Sequence, residues 1–423
     1  MDTSPRAPGG RGTAVAFDAR LDGLTGIAVK GFLLSLVTFG IYRFWYMTNL
    51  RRFFWSRTLV DGSPAEYTGS GKELFLGFLV ALAILVPVYV GLFAVSLLSP
   101  SLAPFSAPIS FLVLFLLGQY ALYRGRRYRA MRTLWRGIRL GQDGSGLAYA
   151  ARAAGWWLLP LLPLGLAFPF MRAGLERSRI RHTLIGVERM GSTARGRTIL
   201  GPWLLIYAVA LLPPLALGLA FLAAADFAPP TDLFVSKGGK GATGINPDYD
   251  GTTLGLLLVG FFGALATCLP LALLLVPFYR ARETRAFMNA ASLGDVRLVS
   301  TLRARQFYWP YLVYALSLIG FVALLGLIVA LLAFAVRSGA GTGGMSILHL
   351  VIVPLYLGGA LVFAVLYVRV IQARLWAAVA NTTTVSDAEG LGRILAAARG
   401  PGSGLQEGLA DALDVGGALQ IGF

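Results

Sequence analysis

Hydrophobic positions in this chain gather into eight long runs, at 24–44, 74–98, 105–123, 156–170, 203–225, 254–278, 308–336 and 347–367. Short polar stretches, most of them rich in arginine, separate the runs. A membrane-spanning helix needs about 20 apolar residues, with a range of 17–25. Six of the runs meet that length without a break. The run 156–170 does not: it has 15 residues and carries Pro160, Pro163, Gly165 and Pro169. The run 24–44 is long enough but breaks at Thr38-Phe39-Gly40. The pattern therefore predicts an all-α polytopic membrane protein, with about six full spans, two broken or re-entrant segments and short surface strands. Alternating apolar and polar residues at 17–23 and again at 65–71 place such strands ahead of the apolar runs that follow.

The two broken segments are related. At an offset of 125 residues, Leu33, Leu34, Leu36, Gly40, Leu50, Arg52, Thr58 and Leu59 match Leu158, Leu159, Leu161, Gly165, Leu175, Arg177, Thr183 and Leu184. Leucine matches in apolar sequence carry little weight. Gly, Arg and Thr holding one register carry more, and they indicate an internal duplication of about 24–62 onto 155–186. Residues 1–16, rich in Gly, Pro and Arg, read as a disordered N-terminus with no signal peptide. Residues 17–380 then form the membrane domain and 381–423 a cytoplasmic tail.

Composition agrees with this class. Hydrophobic residues make up 56% of the chain and charged residues 13%, against about 25% charged in soluble domains. Mean hydropathy is +0.69. The net charge of +17 would point to nucleic acid in a soluble protein. Here it reads as the arginine excess of cytoplasmic loops facing anionic lipid, with no nucleic-acid partner. Lys and Arg number 4, 8, 7, 6 and 4 in residues 46–73, 124–154, 171–201, 280–308 and 369–399. They number 0, 2 and 1 in 99–105, 226–251 and 337–349. If all eight runs spanned, the segments 124–154 and 171–201 would face opposite sides. The positive-inside rule opposes that, so 156–170 is expected to re-enter on its own side. By duplication 24–44 does the same, and both termini are then cytoplasmic.

Little in the sequence suggests catalysis. The two histidines, His182 and His349, form no metal motif, and there is no phosphate loop or nucleophile elbow. No enzyme activity, cofactor or metal is expected. The single cysteine, Cys268, lies in an apolar run as a small hydrophobe. Asp232, Asp248 and Asp250 lack the spacing of a calcium loop. The tail changes sign after Arg399, carrying Glu407, Asp411 and Asp414 with no basic residue, and complements the basic face.

Two functional readings remain. Breaks in corresponding segments mark transporter sites, which makes Thr38, Gly40, Pro163 and Gly165 a candidate site for a transporter or channel. That reading is the favoured one, set against plain kinked helices packed in a bundle. The alternative is a structural or anionic-lipid-binding protein. Interleaved aromatics and arginines suit the head-group layer, with Arg51, Arg52, Arg177, Arg179 and Arg181 as candidate phosphate contacts.

The segments Leu-Val-Thr-Phe-Gly-Ile-Tyr-x-Phe-Trp (36–45), Arg-Arg-Phe (51–53), Thr-Leu-Val-Asp-Gly (58–62) and Glu-Tyr-Thr-Gly-Ser-Gly-Lys-Glu-Leu-Phe-Leu-Gly (66–77) resemble the YjgN-like family. Leu-Gly-Leu-Ala-Phe-Pro-Phe (164–170) and Glu-Gly-Leu-Ala-Asp-Ala-Leu-Asp (407–414) are similar to its later motifs. The second copy departs in Pro163 for Thr38 and Phe170 for Trp45. The resemblance implies a bacterial inner-membrane protein built around a domain of unknown function. It brings no activity, substrate or catalytic residue.

Overall fold

Asp61-Gly62 and Arg136-Gly137 each place two successive residues at positive φ, as a two-residue hairpin loop requires. In the computed structural model, which describes residues 13–98, 103–161, 165–237, 242–339 and 344–394, each joins a three-residue strand to a five-residue one. The first hairpin is β2 (Thr58–Val60) and β3 (Ser63–Tyr67), preceded by β1 (Thr13–Phe17), α1 (Leu24–Val37) and α2 (Arg43–Ser56). After α3 (Gly71–Leu98) and α4 (Ala103–Met131) comes β4 (Thr133–Trp135) with β5 (Ile138–Gln142). Next come α5 (Gly146–Leu161) and α6 (Phe168–Arg181), then β6 (Thr183–Ile185) with β7 (Glu188–Ser192).

The helix α7 (Arg197–Ala224) leads to a small separate hairpin, β8 (Phe234–Lys237) and β9 (Ala242–Ile245), and back through α8 (Thr253–Leu274) and α9 (Val276–Asn289). The next hairpin, β10 (Ala291–Leu293) and β11 (Val296–Ser300), precedes α10 (Ala304–Gly339) and α11 (Gly344–Leu366). A π-helical turn then passes into α12 (Ala373–Asn381), β12 (Thr383–Val385) and α13 (Ala388–Gly392). The wide turn lies where Tyr367–Gln372 meets α12.

Among the described residues, ten of these strands close into one antiparallel barrel in the order β1-β12-β11-β10-β7-β6-β5-β4-β3-β2. The expected all-α class is therefore corrected. Its strands are three to five residues long and sit in the arginine-rich loops, too short to show alternation. The ring takes in β1 near the start of the described residues and β12 near their end. β12 pairs with both β1 and β11, so the two ends of the chain supply the last hairpin and close the ring.

Five apolar excursions leave this barrel, and each returns to the neighbouring strand: β1 to β2, β3 to β4, β5 to β6, β7 to β10 and β11 to β12. All five therefore stand on one rim. The same bonds recur at each foot. The residue after the five-residue strand donates its N–H to the residue before the next short strand: Asp18 to Arg57 (3.0 Å), Thr68 to Arg132 (2.8 Å), Asp143 to His182 (2.9 Å), Thr193 to Ala290 (2.9 Å) and Thr301 to Thr382 (2.9 Å). The first residue of the short strand is Thr58, Thr133, Thr183 or Thr383. Each donates its hydroxyl to the helix carbonyl four residues back, at 2.7–3.0 Å. Ala291 takes that place in the fourth unit.

Among the described residues, six helical stretches are long and apolar enough to cross a membrane. They leave large side chains such as Phe93, Ile319 and Phe334 more than 60% exposed. Such an apolar surface is stable against hydrocarbon, not water. Packing concentrates at the rim instead, where Phe17, Phe44, Phe53, Phe54, Trp55, Tyr128 and Trp376 form one buried cluster.

Candidate functional site

The broken segments are short helical hairpins. In the first, the Thr38 hydroxyl donates to the Leu34 carbonyl (2.6 Å) and accepts from the Tyr42 N–H (2.9 Å). Gly40, at φ 87°, donates its N–H to the Ser35 carbonyl at 2.6 Å. Phe39, at the tip, is 97% exposed. The turn thus satisfies its own polar groups and presents an apolar tip. In the second, Gly165 has φ 94°, and its carbonyl accepts from the Trp203 indole N–H at 3.0 Å. Phe168 stacks on Trp203 with centroids 4.4 Å apart. Pro163 lies outside the described residues. The turn carrying Thr38 and Gly40 and the turn carrying Gly165 belong to separate hairpins. Between them in the barrel order stands the α3–α4 pair.

The candidate phosphate contacts lie at the feet of these hairpins. Arg51 is buried and donates to the Tyr67 hydroxyl at 3.1 Å. Arg179 pairs with Glu176 (3.1 Å), which also faces Arg126 from α4 (3.8 Å). Arg181 donates to the Ser192 carbonyl at 3.3 Å. Farther round, Arg172 (2.7 Å) and Arg280 (3.0 Å) hold the buried Glu283, which also accepts from the Tyr279 hydroxyl (3.3 Å). On the other side Glu73 receives Arg132 (3.0 Å) and the Tyr128 hydroxyl (2.6 Å). These pairs bind one helix foot to the next. They are structural, because each carboxylate already has its cations.

Arg52 and Arg177 are different. They are 125 residues apart and make the same bond across the foot: Arg52 to the Gly69 carbonyl (2.8 Å), Arg177 to the Ala194 carbonyl (3.4 Å). The loop after each is pinned the same way. A Cβ at Gly71 would lie 2.7 Å from Trp45, and one at Gly196 would lie 2.6 Å from Phe170. What differs is the floor, where Thr48 and Asn49 in the first copy become Ala173 and Gly174 in the second. The smaller side chains open a groove of about 310 Å³ between α5, α6 and the loop into α7. Trp156 and Phe170 wall it, and Arg177, Arg195 and Arg197 reach it. Arg195 and Arg197 are exposed, and among the described residues no carboxylate pairs with either. A groove of about 360 Å³ at the first hairpin has one cation, Lys30, beside Tyr42 and Asn49.

Sequence reasoning singled out Arg177 and missed Trp156, Arg195 and Arg197. The offset of 125 was the available signal, since it aligns Arg195 and Arg197 with Ser70 and Lys72 in the loop that Arg52 grips.

Among the described residues, no three His, Cys, Asp or Glu side chains converge to hold a metal. Asp232 accepts from the Tyr249 hydroxyl at 2.9 Å. That bond holds the exposed phenol above its ordinary pKa.

Residues 12–412 match a family described as bacterial protein of unknown function (DUF898). The chain is also 28% identical to the inner membrane protein YjgN of Salmonella typhimurium over 142 residues. That stretch is 33% of this chain and about a third, 32%, of the relative's length. No solved structure matches.

Proposed function

This chain belongs to the DUF898 family of bacterial proteins, and we propose that, within the inner membrane, it binds anionic lipid head groups at its arginine-bearing rim. The observation that carries the reading is the groove between Trp156, Phe170, Arg177, Arg195 and Arg197. Its aromatic walls suit the depth where acyl chains meet head groups, and its guanidinium groups suit phosphate. Arg195 and Arg197, without carboxylate partners, have most to gain from an anion. Transport through the broken segments, the other reading, would need Thr38, Gly40 and Gly165 to line one path, whereas they lie on separate hairpins.

The topology that goes with this reading has six full spans and two re-entrant hairpins, with the barrel and both termini on the cytoplasmic side. The arginines at the feet then sit where the positive-inside rule puts them, opposite anionic lipid.

Purified protein in neutral detergent should gain thermal stability from added phosphatidylglycerol and little from phosphatidylcholine. Replacing Arg177, Arg195 and Arg197 together with Gln should remove most of that gain. Lysine at the same positions should restore it only in part, because an ammonium cannot make the forked contact. Equal stabilisation of wild-type, Gln and Lys forms would defeat the proposal.

A further inference from the structure

The duplicated hairpins differ where their two helices touch. In the second copy Trp156 of α5 lies against Gly174 of α6, whose Cβ would stand 3.1 Å from the indole. The same positions 125 residues earlier hold Gly31 and Asn49. A tryptophan on a glycine has become a glycine beside an asparagine, and the flank between α1 and α2 stays open. It forms the groove of about 360 Å³ lined by Gly26, Ile27, Lys30, Gly31, Tyr42 and Asn49. At Gly31 the Tyr46 ring closes on the helix, 2.0 Å from where a Cβ would be. At Gly26 nothing lies within 4 Å of that place.

The polar groups in this groove have capacity to spare. Lys30 is the one charged residue of α1, six residues and about 9 Å along the helix from its start. It is exposed, and among the described residues no carboxylate pairs with it. Among the same residues no hydrogen bond occupies the Asn49 amide. Tyr42 stacks on Trp45, with centroids 6.2 Å apart and rings 16° from parallel. Trp45 in turn lies against Gly71, so the aromatic wall is fixed to the foot. The groove therefore holds one cation, an amide that donates and accepts, a phenol and no carboxylate.

Charge separates this groove from the one reached by Arg177, Arg195 and Arg197. A single ammonium balances a single phosphodiester. An ethanolamine head group would bring a second ammonium close to Lys30 with no carboxylate to meet it, and like charges repel strongly away from water. The hydroxyls of a glycerol head group would instead find the Asn49 amide and the Tyr42 phenol.

We propose that the groove between α1 and α2 is a second lipid site, for a phospholipid with one phosphodiester charge and a hydroxylated head group. Lys30 meets the phosphate, and Asn49 and Tyr42 meet the hydroxyls. The inference rests on the orientation proposed above, which sets this flank among lipids of the cytoplasmic leaflet.

The test isolates this groove by using the full chain with Arg177→Gln, Arg195→Gln and Arg197→Gln. In neutral detergent, phosphatidylglycerol should still raise the melting temperature of this triple variant. Lys30→Gln should raise the lipid concentration needed at least tenfold. Gly26→Leu should do the same by filling the groove, while leucine favours the helix and leaves the lipid-free protein no less stable. Phosphatidylethanolamine and glycerol 3-phosphate should each have little effect. No response to phosphatidylglycerol, or a response that neither Lys30→Gln nor Gly26→Leu weakens, would overturn the proposal. An equal response to phosphatidylethanolamine would overturn the choice of head group, and an equal response to glycerol 3-phosphate would overturn the choice of a lipid. If the triple variant does not fold, each single variant of the wild-type chain must remove part of the gain, and no loss in either overturns the proposal. The arginine groove fails separately: its three substitutions would leave the whole gain, and Lys30→Gln would then abolish it.

Discussion

Two kinds of glycine constrain this chain, and substitution separates them. At Gly71 and Gly196 the obstacle is another residue. The new Cβ would lie 2.9 Å from the Cα of Trp45 or 2.7 Å from that of Phe170, and backbone moves reluctantly. Gly71→Ala and Gly196→Ala should each cost about 1–3 kcal/mol through overpacking. At Gly40 the space around the Cβ position is open but φ is +87°, so Gly40→Ala should cost about 1 kcal/mol through the backbone alone. Gly91→Ala, with open space and no positive φ, should be neutral or better in its helix. Thermal melts of the four variants in detergent check the ranking. The foot threonines give a second residue-scale expectation. The Thr133 hydroxyl accepts from the Trp55 indole N–H at 2.9 Å while donating to Arg129. Thr133→Val keeps the shape but strands that buried N–H, at about 1–3 kcal/mol.

At the scale of elements, the unit is one helix foot, one short strand, one tight loop and one longer strand. Its sequence trace is slight: Thr-Leu-Val-Asp-Gly, Thr-Leu-Trp-Arg-Gly, Thr-Leu-Ile-Gly and Ala-Ser-Leu-Gly-Asp, at irregular intervals. Apolar runs of unequal length intervene, so the repeat shows in the barrel far better than along the chain. Charge pairs join the feet alongside the buried apolar clusters. Glu283 is 3% exposed and bridges Arg172 of α6 to Arg280 of its own helix. Glu283→Gln would leave a partly buried Arg172 without its anion. Such breaks of buried pairs cost about 3–5 kcal/mol, with the lower end expected because Arg172 is itself 28% exposed. The loss should appear as a lower melting temperature and as faster proteolysis between α6 and α7.

For the whole molecule, one closed ring determines the sidedness of everything attached to it. Each apolar excursion begins and ends on adjacent strands of one rim, and the two short ones are pairs of helices of 14 to 16 residues, below the 17–25 or so that a span needs. In the Cys268→Ala background, Asp250→Cys should react with an impermeant thiol reagent in intact cells. Glu188→Cys, at a barrel loop, should react only after permeabilisation. Reaction at Glu188 in intact cells would place the barrel outside and reverse the proposed orientation.

Hydrophobicity along the chain was enough for the membrane class, because six uninterrupted apolar runs have no other solvent. It also placed the two breaks and their kinship, because Gly40 with Gly165 and Arg52 with Arg177 share one register. Arginine counts made re-entry of 156–170 an expectation, since charge is dear to move across a bilayer. None of this contained the barrel. A three-residue strand such as Thr58–Val60 has no period to read, and it is held by pairing with β1 from the far side of the first helical hairpin and with β3. The groove at Arg177 likewise depends on Trp156, Arg195 and Arg197 meeting across a foot. That meeting is a property of packed surfaces, which local sequence does not encode.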